Sequence, residues 1–270
     1  MPTHNDVRES VVAAVDSWVK LTGDGAGGTL QDITVPTWAN SIKHIAVCAG
    51  IDGAAGQGNV LVKLTGATRH GDQILAMGGF TNIGTTVSIA GQRLQRDVDI
   101  PVQPGKSLEL WGCYAGGDTG SPELGVGVTF SEKAGSHRYV TRQAAPTTAD
   151  AWMTLNTENG TTAVNDHITQ GSKIDQVWVV ASYGATTQEP LAIYARIQGV
   201  GGCIAGNEHT YPGPSYLVSD GTLAAGCIFV PMIYDVDIAC TPGTVRVQAV
   251  SSGAVITIDP EVAVTLVYQV

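Results

Sequence analysis

The densest group of reactive side chains is Glu208 and His209, set in "GNEHTYPGPSY" with Tyr211 and Tyr216 and followed by Asp220. An imidazole among carboxylates and phenols could hold a metal ion or a small ligand. The same stretch is rich in Gly and Pro, the composition of an exposed loop tip, so a small ligand or metal site there competes with a plainer reading. A second acidic pattern is written twice: Asp97 and Asp99 in "DVDIPVQPG" (97–105), then Asp235 and Asp237 in "DVDIACTPG" (235–243). Alternation puts both carboxylates of each pair on one strand face. Such a pair could contact a hard cation such as calcium, but calcium needs several oxygen ligands at once, and two are too few. The pairs therefore read as solvated strand faces, each followed by a Pro-Gly turn into the next strand.

Little else in the chain could do chemistry. There is no nucleophile elbow, P-loop, His-Glu-x-x-His helix or dinucleotide fingerprint. The six histidines, His4, His44, His70, His137, His167 and His209, are scattered, and none pairs at metal-ligand spacing. The five cysteines are odd in number and lack a CxxC. Cys48 and Cys113 fall in apolar runs and read as small core residues. A bridge between Cys203 and Cys227 stays open, although so low a Cys density argues against a disulfide scaffold. No catalytic, cofactor-binding or metal-binding residue is assigned, no cofactor is expected, and the chain is not expected to be an enzyme.

The composition limits the partners. Charged residues make up 14% of the 270 and give a formal charge of −10, with the basic residues scattered. Such a surface repels phosphate, so no direct nucleic-acid binding is expected. The N-terminal stretch has neither the charged start nor the apolar core of a signal peptide, and no apolar window is long enough to span a bilayer. The expected product is a soluble chain made in a cytoplasm.

Those scattered residues must be positioned by short strands. Thirty-four Gly and twelve Pro among many Val, Ile and Thr imply strands joined by tight turns. The chain also repeats itself. "DSWVKLTGDGAGGTLQD" (16–32) lies over "DAWMTLNTENGTTAVND" (150–166), matching Asp16 with Asp150 and Trp18 with Trp152. "IAVCAG" (45–50) falls on "VWVVAS" (177–182), "LVKLTG" (61–66) on "YARIQG" (194–199), the nonapeptides on each other, and "VTF" (128–130) on "VTL" (264–266). Correspondences in one order indicate a duplicated unit over 16–130 and 150–270, with 131–149 as a linker. Each unit has the size and turn spacing of a β-sandwich. The segment 1–15 reads as a short N-terminal helix, because Val7, Val11, Val12 and Val15 recur on one side. Its partner is its own sheet, a neighbouring subunit or a membrane surface. Stretches 66–96 and 199–227 read as long, divergent loops.

Two tandem sandwiches carried by "DSWVKL" with "DAWMTL" and "DVDIPVQPG" with "DVDIACTPG" resemble the double jelly-roll major capsid proteins of tailless icosahedral double-stranded DNA viruses. The resemblance is architectural and covers 16–270. It implies homotrimeric, pseudo-hexagonal capsomers in a virion assembled in the host cytoplasm. It also implies lattice contacts with other copies, and with penton or minor capsid proteins and an internal membrane. Segments 66–96 and 199–227 would form towers or subunit contacts. Two other classes remain open from the residues alone. Trp18, Trp38, Trp111, Trp152 and Trp178 could serve a carbohydrate-binding or adhesive module, although the equivalence of Trp18 and Trp152 favours a shared core role. A two-domain β-sandwich enzyme, perhaps a metal-dependent oxygenase or an amidase, would need ligands gathered at the seam of the halves.

Overall fold

A computed structural model describes residues 4–12, 16–24, 26–51, 56–82, 89–116, 123–146, 148–160, 164–182, 192–214, 227–252 and 260–270. Strands dominate, and their hydrogen bonding writes one topology twice. The first half holds β1 (His4–Val11), β2 (Val19–Lys20), β3 (Ile33–Thr34), β4 (Ser41–Ile51), β5 (Gly56–Thr65), β6 (Gln73–Asn82), β7 (Ile89–Pro101), β8 (Ser107–Ala115) and β9 (Glu123–Ser131). One sheet runs β1-β9-β4-β7 and the facing one β6-β5-β8-β2, with β3 also on β8. The second half holds β10 (His137–Ala144), β11 (Met153–Thr154), β12 (His167–Ile168), β13 (Lys173–Ser182), β14 (Ala192–Gly199), β15 (Glu208–Pro212), β16 (Cys227–Phe229), β17 (Met232–Ala239), β18 (Thr244–Ser252) and β19 (Glu261–Gln269). Its sheets run β10-β19-β13-β17 and β11-β18-β14-β15, with β12 on β18. Strand for strand the orders are the same. The chain is a pair of tandem antiparallel β-sandwiches with the wound order of a jelly roll.

Side-chain alternation builds each core. Leu124, Val126, Val128 and Phe130 point inward from β9, and Val262, Val264, Leu266 and Tyr268 hold the matching places on β19. Phe130 lies opposite Ile42, and Tyr268 opposite Ile174. The register therefore sets "VTF" on 266–268, two residues beyond the "VTL" match read from sequence. Each half then bulges at the next residue, Lys43 in β4 and Asp175 in β13. Asp16 and Asp150 also agree, with φ of 58° and 56°, a left-handed turn that Asp tolerates better than most residues.

Three expectations are corrected. The described part of the N-terminal segment is a strand and not a helix: β1 pairs with β9 along its whole length. Its valines are β-branched and stiff in a helix, and a segment so short gains more from a full ladder of sheet hydrogen bonds. The stretch 131–149, read as a linker, carries β10, paired throughout with β19. The stretches 66–96 and 199–227 are not simply loops, since they carry β6 with most of β7, and β15. Residues 83–88 and 215–226, including Tyr216 and Asp220, lie outside the described residues.

Candidate functional site at the seam between the two sandwiches

The halves meet face to face. The outer surface of β5, β6 and β8 packs on that of β10, β13 and β19, where Leu61, Ala76, Cys113, Ala115, Val180 and Ala263 form a buried cluster of their own. Trp178 and Val267 of the second half, with Tyr139, belong to the first half's core cluster. Several buried polar groups are matched across the join. Thr141 Oγ1 donates to the Ile74 carbonyl at 2.7 Å and lies 2.8 Å from Thr265 Oγ1, which accepts the Ala76 N–H at 3.1 Å. Gln73 Oε1 accepts the Tyr139 N–H at 2.9 Å. A Cβ on Gly79 would lie 2.4 Å from the Ala181 carbonyl oxygen, so the strands approach as only glycine permits. The segment β16 crosses over to pair with β6, adding a strand from the second half to the first half's sheet.

Beside this contact lies a cleft of about 340 Å³ lined by Asp97, Val98, Asp99, His137, Tyr139, Asp175, Gln176, Asp235 and Val267. The two nonapeptides converge here. Asp99, from β7, receives Ser136 Oγ at 2.6 Å and the Ser136 N–H at 3.1 Å, and pairs with Lys43. His137 bridges two carboxylates, with Nε2 2.8 Å from Asp175 and Nδ1 3.5 Å from Asp99. Asp175 also meets Lys173 at 2.9 Å, and Lys173 reaches Asp237 at 3.2 Å. Gln176 donates to Asp235 at 2.7 Å while its Oε1 accepts the Trp178 indole N–H at 3.0 Å. The bulges explain the aim, because an extra residue redirects Lys43 and Asp175 out of the ladder.

Burial pushes the Asp99 carboxyl up, but hydrogen bonds from Lys43 and Ser136 outweigh it and hold it below the ordinary value. Asp175 behaves likewise, with burial overcome by Lys173 and His137. Two ionised carboxylates with an imidazole between them can accept protons, yet their lone pairs are already committed to fixed donors. The arrangement acts as an ionic clasp joining β7 to β10 and β13. Asp99→Asn is expected to lower stability by about 1–3 kcal/mol. Both carboxyls are depressed on folding, so their contribution is complete above the unfolded value of 3.8 and fades as pH falls through the lower folded values. Urea unfolding should thus separate wild type from Asp99→Asn at pH 7 and bring them progressively together as pH falls below 3.8.

The sequence-derived candidates do not converge. Glu208 and His209 lie on opposite faces of β15, Glu208 Oε1 3.3 Å from Arg196 and His209 Nε2 2.6 Å from the Ala205 carbonyl. Tyr211 is buried against Tyr234. Asp97 and Asp237 are solvated, as the strand-face reading requires, whereas Asp99 is drawn into the clasp. Among the described residues no three His, Cys, Asp or Glu side chains come together to hold a metal. Cys113 is buried and Cys203 is free and buried, but Cys48 is exposed rather than in the core. Trp18 and Trp152 are half-buried in matching places, each beneath a cation, Lys63 at 4.8 Å and Arg196 at 4.2 Å from the ring centroid. Sequence reasoning missed His137, which fell in the supposed linker, and Asp175. The available signal for Asp175 was an acid breaking the run "KIDQVWVV".

No protein-family model and no characterised protein matches the chain in sequence. Several solved structures resemble it at low identity. The glycosylasparaginase PNGase F from Flavobacterium meningosepticum aligns over 100% of this chain and 97% of that one, with 9% identity and a TM-score of 0.32. The major capsid protein P2 from Bacteriophage PM2 aligns over 99% and 98%, with 9% identity and a TM-score of 0.36. The CBM22-1-CBM22-2 tandem domain from Paenibacillus barcinonensis Xyn10C aligns over 98% and 97%, with 9% identity and a TM-score of 0.25. The expectation that the chain is not an enzyme is corrected by this set, since an enzyme stands in it beside a capsid protein.

Proposed function

We propose that the chain is a lattice-forming structural protein, the major capsid protein of an icosahedral virion, built from homotrimers whose six rolls make a pseudo-hexagonal tile. The observation that supports this is the joining of two rolls of identical strand order, outer face to outer face, through a buried cluster. A seam joining unlike faces of like units is heterologous, and repeating it between chains generates a ring where the rotation closes. Three chains of two similar units fill six similar places. The net acidity agrees with a shell that leaves genome contact to other components, such as minor capsid proteins or an internal membrane.

Light scattering behind size-exclusion chromatography, followed by electron microscopy of the concentrated protein, tests the reading. Trimers and hexagonal tiles are expected. A chain that stays monomeric at every attainable concentration overturns it.

A further inference from the structure

The filled seam uses the outer face of β5-β6-β8 from the first half and of β10-β13-β19 from the second. Its duplicate counterparts, β14-β15-β18 of the second half and β1-β4-β9 of the first, have no packed sheet face against them among the described residues. We propose that these two open faces bind each other between successive copies, head to tail, in the geometry of the seam. This deepens the lattice-forming reading and rests on it.

The open face on the first half is built as a contact. An exposed sheet face normally carries polar residues, with apolar ones turned inward. On β1 the order is reversed: Arg8 is buried while Val7 is 58% exposed and Val11 48%. Beside them β9 presents Gly125 and Gly127, and β4 presents Ala46 and the exposed Cys48. Neither glycine has a positive φ, and a Cβ on either would meet only ordinary contacts in its own half. Glycine in a strand without a local reason marks close approach by something else.

Residue-by-residue substitution between the two seams is compensated. In the filled seam Leu61 packs with Val180 and Ala263. Register places Tyr194 where Leu61 stands, opposite Pro212 as Leu61 is opposite Ala76, and places Cys48 and Gly125 where Val180 and Ala263 pair. The side chain that grows, Leu to Tyr, faces two that shrink, Val to Cys and Ala to Gly. Tyr194 is 37% exposed and free to enter such a hollow.

The hydrogen bonding follows the same rule. Ala76 donates its N–H to Thr265 in the filled seam. Pro212 stands for Ala76 and has no N–H, and Gly127 stands for Thr265 and has no hydroxyl, so donor and acceptor vanish together. Thr141, paired with Thr265, becomes Val7, paired with Gly127.

Charge agrees as well. Lys63, above Trp18, reaches Glu158 across the filled seam at 3.3 Å. Its counterpart is Arg196, above Trp152. Glu158 follows the bridge from Gln143 to Thr157, and the matching bridge from Glu9 to Gly23 is followed by the exposed Asp24. Arg196 of one copy would meet Asp24 of the next.

The test compares wild type, Val7→Lys, Val7→Thr and Tyr194→Cys by light scattering, with oxidation and non-reducing gels for the last. Val7→Lys buries a lone ammonium and should raise the concentration needed for assembly by roughly tenfold or more. Val7→Thr, the residue of the filled seam, should assemble. Tyr194→Cys should form interchain disulfides with Cys48, giving a ladder that Cys48→Ser removes; loss of assembly in this variant alone also supports the contact. Normal assembly by Val7→Lys, or an oligomeric Tyr194→Cys chain without a Cys48-dependent ladder, overturns the head-to-tail contact while leaving the lattice reading standing. A monomeric wild type overturns both.

Discussion

Trp178→Ala should lower the unfolding free energy by about 3–5 kcal/mol and leave unfolding a single transition across both halves. Trp178 comes from β13 of the second half but is 1% exposed within the first half's core cluster. Its ring meets Tyr139 edge-on at 5.6 Å, and its loss strands the Gln176 Oε1 that accepts its N–H at 3.0 Å. The unpaired acceptor adds about 1–3 kcal/mol if water cannot reach it. The counterpart of Trp178 is Ala46, since Trp178 lies opposite Thr265 as Ala46 lies opposite Gly127. The substitution thus writes the open face's residue into the filled seam and leaves a cavity there. Urea titrations followed by fluorescence and circular dichroism report the outcome. Two separate transitions in the wild type, or a loss under about 1 kcal/mol in the variant, would show that the halves do not share a core.

Both halves lost their opening strand in the sequence reading, for one physical reason. β1 and β10 are edge strands with unusual faces: β1 turns Arg8 inward and Val7 outward, and β10 buries Thr141 and Gln143 at the join. Neither shows the apolar alternation that identifies a half-buried strand, so one was read as a helix and the other as a linker. The repeat itself was legible because inward positions are held to similar types. Its last match slipped by two residues because a two-residue shift keeps every side chain on the same face. The Glu208–His209 pair reads as a site only if 208–212 is a loop; as a strand it sends the two side chains apart. The clasp of Asp99, His137 and Asp175 joins residues far apart in sequence, and its geometry depends on a bulge that no local pattern announces.

Acid should loosen the second half through His167, a residue the duplicated framework does not require. His167 holds the place of Ile33: its partner Val245 is second from the start of β18, as Leu108, the partner of Ile33, is second from the start of β8. Its partner Tyr268 holds the place of Phe130, so an aliphatic–aromatic pair in one half becomes an imidazole–phenol pair in the other. Nε2 lies 2.5 Å from Tyr268 Oη, while Nδ1 is buried with no partner among the described residues. Burial, reinforced by the guanidiniums of Arg142 and Arg138, holds the imidazole neutral and pushes its value down to about 3 from 6.5. The folded value is below the unfolded one, so the unfolded chain takes the proton first. Stability is complete above pH 6.5 and is lost progressively between 6.5 and 3, roughly 2 kcal/mol of it by pH 5. Tyr268→Phe alone should cost about 1–3 kcal/mol at pH 7, because it leaves both ring nitrogens unpaired in the core. His167→Ile with Tyr268→Phe copies the first half's solution, and it should recover that loss and flatten the pH dependence between 7 and 5. Urea midpoints at the two pH values, measured for wild type, single and double variants, test this. A double variant as acid-sensitive as wild type over that range would place the proton uptake elsewhere.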